Sequence, residues 1–123
     1  MVILITGSRE ASPRLLEIAK QFVKTHPAHT YIVGDAPGID ATVISACDNV
    51  QAAVSVYGAY KKLRHQTNHG DNNALDIDYL GRDRYMVDLK PDMCIAFWDG
   101  KSHGTMYTAK YAKSKGIKTI VVK

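Results

Sequence analysis

Cysteine is scarce in this chain, with two among 123 residues. Cys47 and Cys94 lie far apart in apolar contexts, which excludes a disulfide framework and a paired-thiolate metal site. No apolar stretch approaches the roughly 18–20 residues of a membrane-spanning helix. The first apolar run begins at Val2, which leaves no room for a leader, so a cytoplasmic location and no membrane partner are expected. A Gly-x-Gly-x-x-Gly run does not follow that first strand, which disfavours the standard dinucleotide fold. A Walker A run is also lacking, which disfavours P-loop ATP hydrolysis. No Cys–His pair and no cluster of metal ligands stands out, so neither cofactor nor metal is expected. Repeats, low-complexity tracts and linkers are missing too, so residues 1–123 read as one domain.

What is present is ordinary for a globular protein: 46% hydrophobic and 23% charged residues, enough for one core. The net charge of +4 permits a phosphate-bearing partner without requiring one. Apolar runs at Val2–Thr6, Thr30–Val33, Ala52–Tyr57, Met93–Trp98 and Ile117–Val122 read as strands. Both faces of the first and fourth are apolar, as in a parallel sheet covered on both sides. Helical spacing follows Ser12-Pro13, runs from Asp40 through Cys47, covers Ile77–Leu89 and covers Thr105–Lys115. Leu80, Met86 and Val87 are the expected inward residues of the third helix. Ala59 to about Asp76, with Lys61, Lys62, Arg64, His65, His69 and Gly70-Asp71-Asn72-Asn73, reads as a solvated polar loop.

Five strands alternating with four helices predict a Rossmann-like three-layer α/β/α sandwich. Its five-stranded parallel sheet takes the order 3-2-1-4-5. Ligands of such sheets lie at the carboxyl ends of the strands, where the order reverses. Three glycine-bearing turns fall on that rim: Gly7-Ser8-Arg9, Gly34–Asp40 and Asp99–Thr105. Together they predict a phosphate- or nucleotide-binding cleft. Gly7, Gly100 and Gly104 would allow close backbone approach. Ser8, Ser102 and Thr105 would supply hydroxyls, and Arg9 a positive charge. Asp35 or Asp40 would accept from ribose hydroxyls or a base amine, although Asp40 equally suits a helix N-cap. Arg82 and Arg84, two apart on one helix, cannot both face the cleft, so one reaches the ligand and the other pairs on the surface.

Four segments taken in order resemble the SLOG superfamily, the Rossmann-like group of the Smf/DprA DNA-processing and LOG cytokinin-activating proteins. They are Gly7–Ser12, Gly34–Asp40 with its Gly38-Ile39-Asp40, Arg82–Met86 and Asp99–Thr105. The small stand-alone members of the YspA, or cpYpsA-related, branch are the most similar. The resemblance implies a ligand site built from Gly7, Ser8, Arg9, Gly34, Asp35, Gly38, Asp40, Arg82, Asp99, Gly100, Ser102, Gly104 and Thr105. LOG-like members cleave the N-glycosidic bond of nucleoside 5′-monophosphates, and Arg82, Met86 and Gly104-Thr105 match parts of their signature. Their catalytic glutamate would fall near Tyr107 or Thr108, neither of which is a carboxylate. Asp99 or Glu10 could substitute from another loop, although nothing in the sequence shows it. The expectation is therefore binding of a nucleotide or nucleotide-derived ligand through phosphate and ribose, without chemistry. An N-glycosidase or deoxyribosyltransferase is one alternative, and DprA-like single-stranded DNA binding another. Pairing of related folds through exposed helices adds a homodimer to the expectations.

Overall fold

A computed structural model describes residues 1–123. Six parallel strands form one sheet: β1 (Val2–Gly7), β2 (Thr30–Gly34), β3 (Val54–Gly58), β4 (Asp71–Ala74), β5 (Met93–Phe97) and β6 (Lys118–Val122). Four helices connect them: α1 (Pro13–Thr25), α2 (Ile39–Val50), α3 (Tyr79–Asp88) and α4 (His103–Ser114). The strand order is β4-β3-β2-β1-β5-β6. The five strands read from the sequence therefore have the relative order expected of them, and the five-stranded count is corrected to six.

The added strand comes from the stretch expected to be a loop. β4 runs parallel to β3, with Ser55 opposite Asp71 and Gly58 opposite Ala74. It is polar and mostly exposed, so no apolar alternation marks it in the sequence. Side chains hold it instead. Asn72 exchanges two hydrogen bonds with the Thr67 backbone, and Asn73 Nδ2 donates to the Val56 carbonyl. His69 bridges the Asp48 carboxylate and the Ala52 carbonyl. Gly70 passes so close to Val54 that a Cβ would sit 2.1 Å from its carbonyl oxygen.

Period-two alternation splits the central strands between two cores. Ile3, Ile5, Tyr31, Val33, Val54, Val56, Ile95 and Phe97 pack under α1 and α2 with Leu15, Val23, Val43 and Ile44. Leu4, Ile32 and Cys94 face the other way, against Met86, Val87 and Ala112 of α3 and α4. Cys47 belongs to the first core and Cys94 to the second, so the sheet separates the two thiols. Leu80, expected to point inward, is 43% exposed, whereas Met86 and Val87 are buried.

Helix starts follow local chemistry. The Ser12 and Asp78 side chains cap α1 and α3 by accepting from Leu15 N and Gly81 N. Ser102 caps α4, which begins at His103, two residues earlier than the sequence reading placed it. Gly38 holds the N-cap position of α2, so Asp40 is freed from capping. No helix is long and apolar enough to cross a membrane.

Candidate functional site

The loops after β1, β2 and β5 meet at the carboxyl edge of the sheet, where the chain turns from β1 toward β2 on one side and β5 on the other. Between them lies an open cleft of about 570 Å³. That volume is within the range of small-molecule sites.

The wall after β1 is tightly knotted. Ser8 is fully buried. Its amide donates to the Phe97 carbonyl at 3.1 Å, its carbonyl accepts from Ile39 N at 3.3 Å, and its Oγ accepts from Asp99 N at 3.0 Å. One residue thus ties together the loops that leave β1, β2 and β5. Close packing explains the glycines here. A Cβ on Gly7 would lie 2.4 Å from Ile39, and one on Gly38 would lie 2.4 Å from the Arg9 carbonyl oxygen. Gly38 also holds φ at 82°, which favours glycine.

The opposite wall, the β5–α4 loop, is open. Asp99 Oδ1 accepts from the Lys101 and Ser102 amides, each at 2.8 Å, and these bonds hold its carboxyl below the usual carboxylate range. Ser102 Oγ accepts from Thr105 N and lies 3.0 Å from Thr105 Oγ1. The His103 and Gly104 amides have no acceptor within the protein. A Cβ on Gly104 would meet nothing within 4 Å. Lys101 stands beside these amides and Arg9 lines the cleft with them.

Charge fills the floor. Arg82, on α3, is buried. Its Nε donates to Asp83 at 2.8 Å, and its Nη1 donates to Asp35 and to the Tyr57 carbonyl, each at 2.9 Å. Arg64 gives Asp35 two further bonds, from its backbone amide and from Nη2, and stacks 4.4 Å over the Tyr79 ring. Burial opposes charge on Asp35, but the hydrogen bonds from Arg64 and the charges of Arg64 and Arg82 outweigh it and hold the pKa below normal. Asp40 is different. It is 5% exposed and its one hydrogen bond is to Oδ2, from Ala36 N at 3.1 Å. Burial pushes its carboxyl up to about 7, against the pull of Arg82. Burial also raises Asp83, again opposed by Arg82.

The residues proposed from sequence therefore divide. Gly7, Arg9, Gly34, Asp40, Arg82, Asp99, Ser102, Gly104 and Thr105 line the cleft, as does Glu10. Ser8, Asp35 and Gly38 lie behind its lining, where they support the walls and floor. Gly100 borders a smaller groove with Trp98 and Arg14. Of the two α3 arginines, Arg84 is the exposed one and donates to the Tyr107 hydroxyl at 2.8 Å. Arg64, Tyr79, Asp83 and Lys101 join the lining without having been named as site residues. Arg64 came from the stretch read as loop. Asp83 had a usable signal, being a carboxylate beside Arg82 on a helix that turns an apolar face inward. Nowhere do three His, Cys, Asp or Glu side chains group as a metal would need.

No family model matches the chain, and no curated protein matches its sequence. Solved structures match its fold. The X-ray structure of TM1055 superposes with a TM-score of 0.84 at 14% identity, over 96% of this chain and 71% of that one. DNA processing protein A of Helicobacter pylori, described for its single-stranded DNA binding, gives 0.74 at 18% identity, over 98% of this chain and 64% of that one. This chain thus spans a little under two thirds of that protein's length. The molybdenum cofactor binding protein of Rippkaea orientalis gives 0.74 at 16% identity, over 98% and 74%. The chain therefore shares the Rossmann-like fold of these structures.

Proposed function

We propose that the cleft binds a nucleotide or nucleotide-derived ligand through its phosphate and ribose, without transforming it. The observation that carries this reading is the open start of α4. Two free amides at a helix N-terminus, with Lys101 and Arg9 lining the same cleft, suit a phosphate. Gly104 leaves the backbone bare where the anion would approach. Ser102 and Thr105 offer hydroxyls beside it.

The fold does not choose the ligand. One structural neighbour is described as binding single-stranded DNA and another the molybdenum cofactor. A catalytic reading is weaker for want of a carboxylate one turn into α4. Thr108 there is buried and donates to the Gly104 carbonyl, while Tyr107 accepts from Arg84. Asp99 and Glu10 line the cleft and remain the carboxylates an N-glycosidase or deoxyribosyltransferase would use. A homodimer belongs to the same proposal, and Tyr85 on α3 with Leu89 at its C-cap are exposed apolar side chains it could use.

A thermal-shift series with nucleoside mono-, di- and triphosphates tests the reading. A ligand in excess of its Kd raises the melting temperature. Arg9→Ala with Lys101→Ala removes that rise, and no free base is released on prolonged incubation. If no nucleotide shifts melting while a single-stranded oligonucleotide binds with a steep salt dependence, the DNA reading replaces this one.

A further inference from the structure

We propose that the outer edge of β6 pairs antiparallel with the same edge of a second copy of this chain, so that one sheet runs through both. The inference rests on the homodimer of the reading above and places its interface on β6, away from α3.

The two ends of the sheet are finished differently. At one end β4 is the polar run Asp71-Asn72-Asn73-Ala74. Charged and polar side chains blunt an edge against further pairing. At the other end β6 reads Lys118-Thr119-Ile120-Val121-Val122, and its last three residues carry neither charge nor proline. Ile120 lies opposite Ile95, on the face that α1 and α2 cover, and Val121 lies opposite Ala96, on the other face. Each is 40% exposed. Both sides of this edge therefore show β-branched apolar surface, which suits a strand-on-strand contact.

The backbone fixes which groups are open. Trp98 N donates to the Val122 carbonyl at 2.8 Å, so Val122 turns its amide and carbonyl toward β5. Alternation makes Lys118 and Ile120 do the same. Thr119 and Val121 turn theirs outward, where no strand of this chain lies. In an antiparallel ladder, opposed residues exchange two bonds at every second pair. A two-fold axis through Ile120 sets Thr119 of each copy opposite Val121 of the other, so every outward group finds a partner. Ile120 then meets Ile120 across the axis as the closer, non-hydrogen-bonded pair. The neighbouring axes do worse. An axis on Thr119 sets Val121 against Ile117, whose amide already bonds the Ala112 carbonyl. An axis on Val121 sets Thr119 against Lys123, whose carbonyl already accepts from Arg14. Charge agrees with the Ile120 register. Lys118 falls opposite Val122, which keeps the two Lys118 side chains about 13 Å apart along the strands. The occupant is thus a second copy, because the same five residues supply both halves of the ladder.

The test is sedimentation equilibrium and amide hydrogen exchange of the full chain, over a concentration series from about 1 μM to about 1 mM. The apparent mass is expected to rise to twice that of one chain and no further, because pairing uses up the open edge. Over the same series the Thr119 and Val121 amides should gain about ten-fold in protection, more than Ile120, which is already bonded to β5. Val121→Pro deletes an outward N–H without touching the β5 ladder and should weaken pairing at least about ten-fold. Should that variant fail to fold, Ile120→Lys sets like charges on the axis and weakens pairing in its place. Tyr85→Asp, on α3, should leave the mass unchanged. A monomer at every concentration overturns the β6 interface and the homodimer together. A dimer that Tyr85→Asp dissolves and Ile120→Lys leaves intact overturns β6 alone and moves the interface to α3. Growth beyond two copies overturns it as well, as does a doubled mass with no added protection at Thr119 and Val121.

Discussion

The two walls of the cleft are built on opposite terms. After β1 and β2 every glycine is packed tight: Gly7 against Ile39, Gly34 against the Asp40–Arg82 pair and Gly38 against the Ser8 and Arg9 carbonyls. After β5, Gly100 and Gly104 face open space. Glycine after a parallel strand thus has two separate uses in one site. On one side it lets protein pack on protein; on the other, Gly104 borders open space and Gly100 holds a φ of 87° that favours glycine. The charges divide in a related way. The buried arginine, Arg82, is bonded to its neighbours, whereas Arg9 and Lys101 are exposed on the lining.

Removing Arg82 breaks the packed side hardest. Arg82→Ala leaves Asp35, Asp40 and Asp83 without their shared cation and should cost about 3–5 kcal/mol in urea unfolding. Arg84→Ala, two residues away and exposed, should stay within about 0.5 kcal/mol. Comparable loss for both would dissolve the contrast.

Asp40 gives the next effect, and it depends on pH. Its folded-state pKa is raised from 3.8 to about 7. Between those values the folded protein holds a proton that the unfolded chain has released. The carboxyl therefore costs nothing below about pH 4, stability declines as pH climbs from there through about 7, and it is level above that. Asp40→Asn removes that decline. It should gain roughly 2–4 kcal/mol over the wild type at pH 8 relative to the difference at pH 4, read from denaturation midpoints at both pH values. A parallel pair of pH profiles would mean that Asp40 titrates as a solvated acid.

Gly38→Ala probes backbone contact alone. Its positive φ and the carbonyls 2.4–2.5 Å from a new Cβ predict a loss of about 2 kcal/mol or more. The smallest effect on folding belongs to the open wall. Gly104→Ala lies in a helix with free space around it, and should stabilise the protein by about 0.5–1 kcal/mol. The same variant should weaken nucleotide-induced thermal stabilisation, because the methyl group stands where the phosphate would come. A variant that gains stability and keeps its full thermal shift would move the anion elsewhere.

The sequence made the sheet legible because its central strands are apolar on both faces, a pattern few other structures require. β4 escaped notice because an exposed edge strand has no core face to betray it. Asp71, Asn72 and Asn73 read as turn residues, yet two of their side chains make the bonds that fix the edge. The floor was harder still. Asp35, Asp40, Arg64 and Arg82 are spread over nearly 50 residues, and only topology brings them together. Ser8 shows the reverse error. A small hydroxyl after Gly7 looks like a ligand donor, and its position is instead a fully satisfied interior joint.

That joint also bears on how fast a ligand can arrive. Since one buried serine fastens all three loops to each other, the proposed site should need no loop closure before a nucleotide enters. Stopped-flow traces should then show a single phase whose rate rises linearly with nucleotide concentration, with no plateau from a slow opening step. Ser8→Ala removes the side-chain half of the link from the first loop to the third, leaving the backbone bond to Phe97, and should introduce such a plateau.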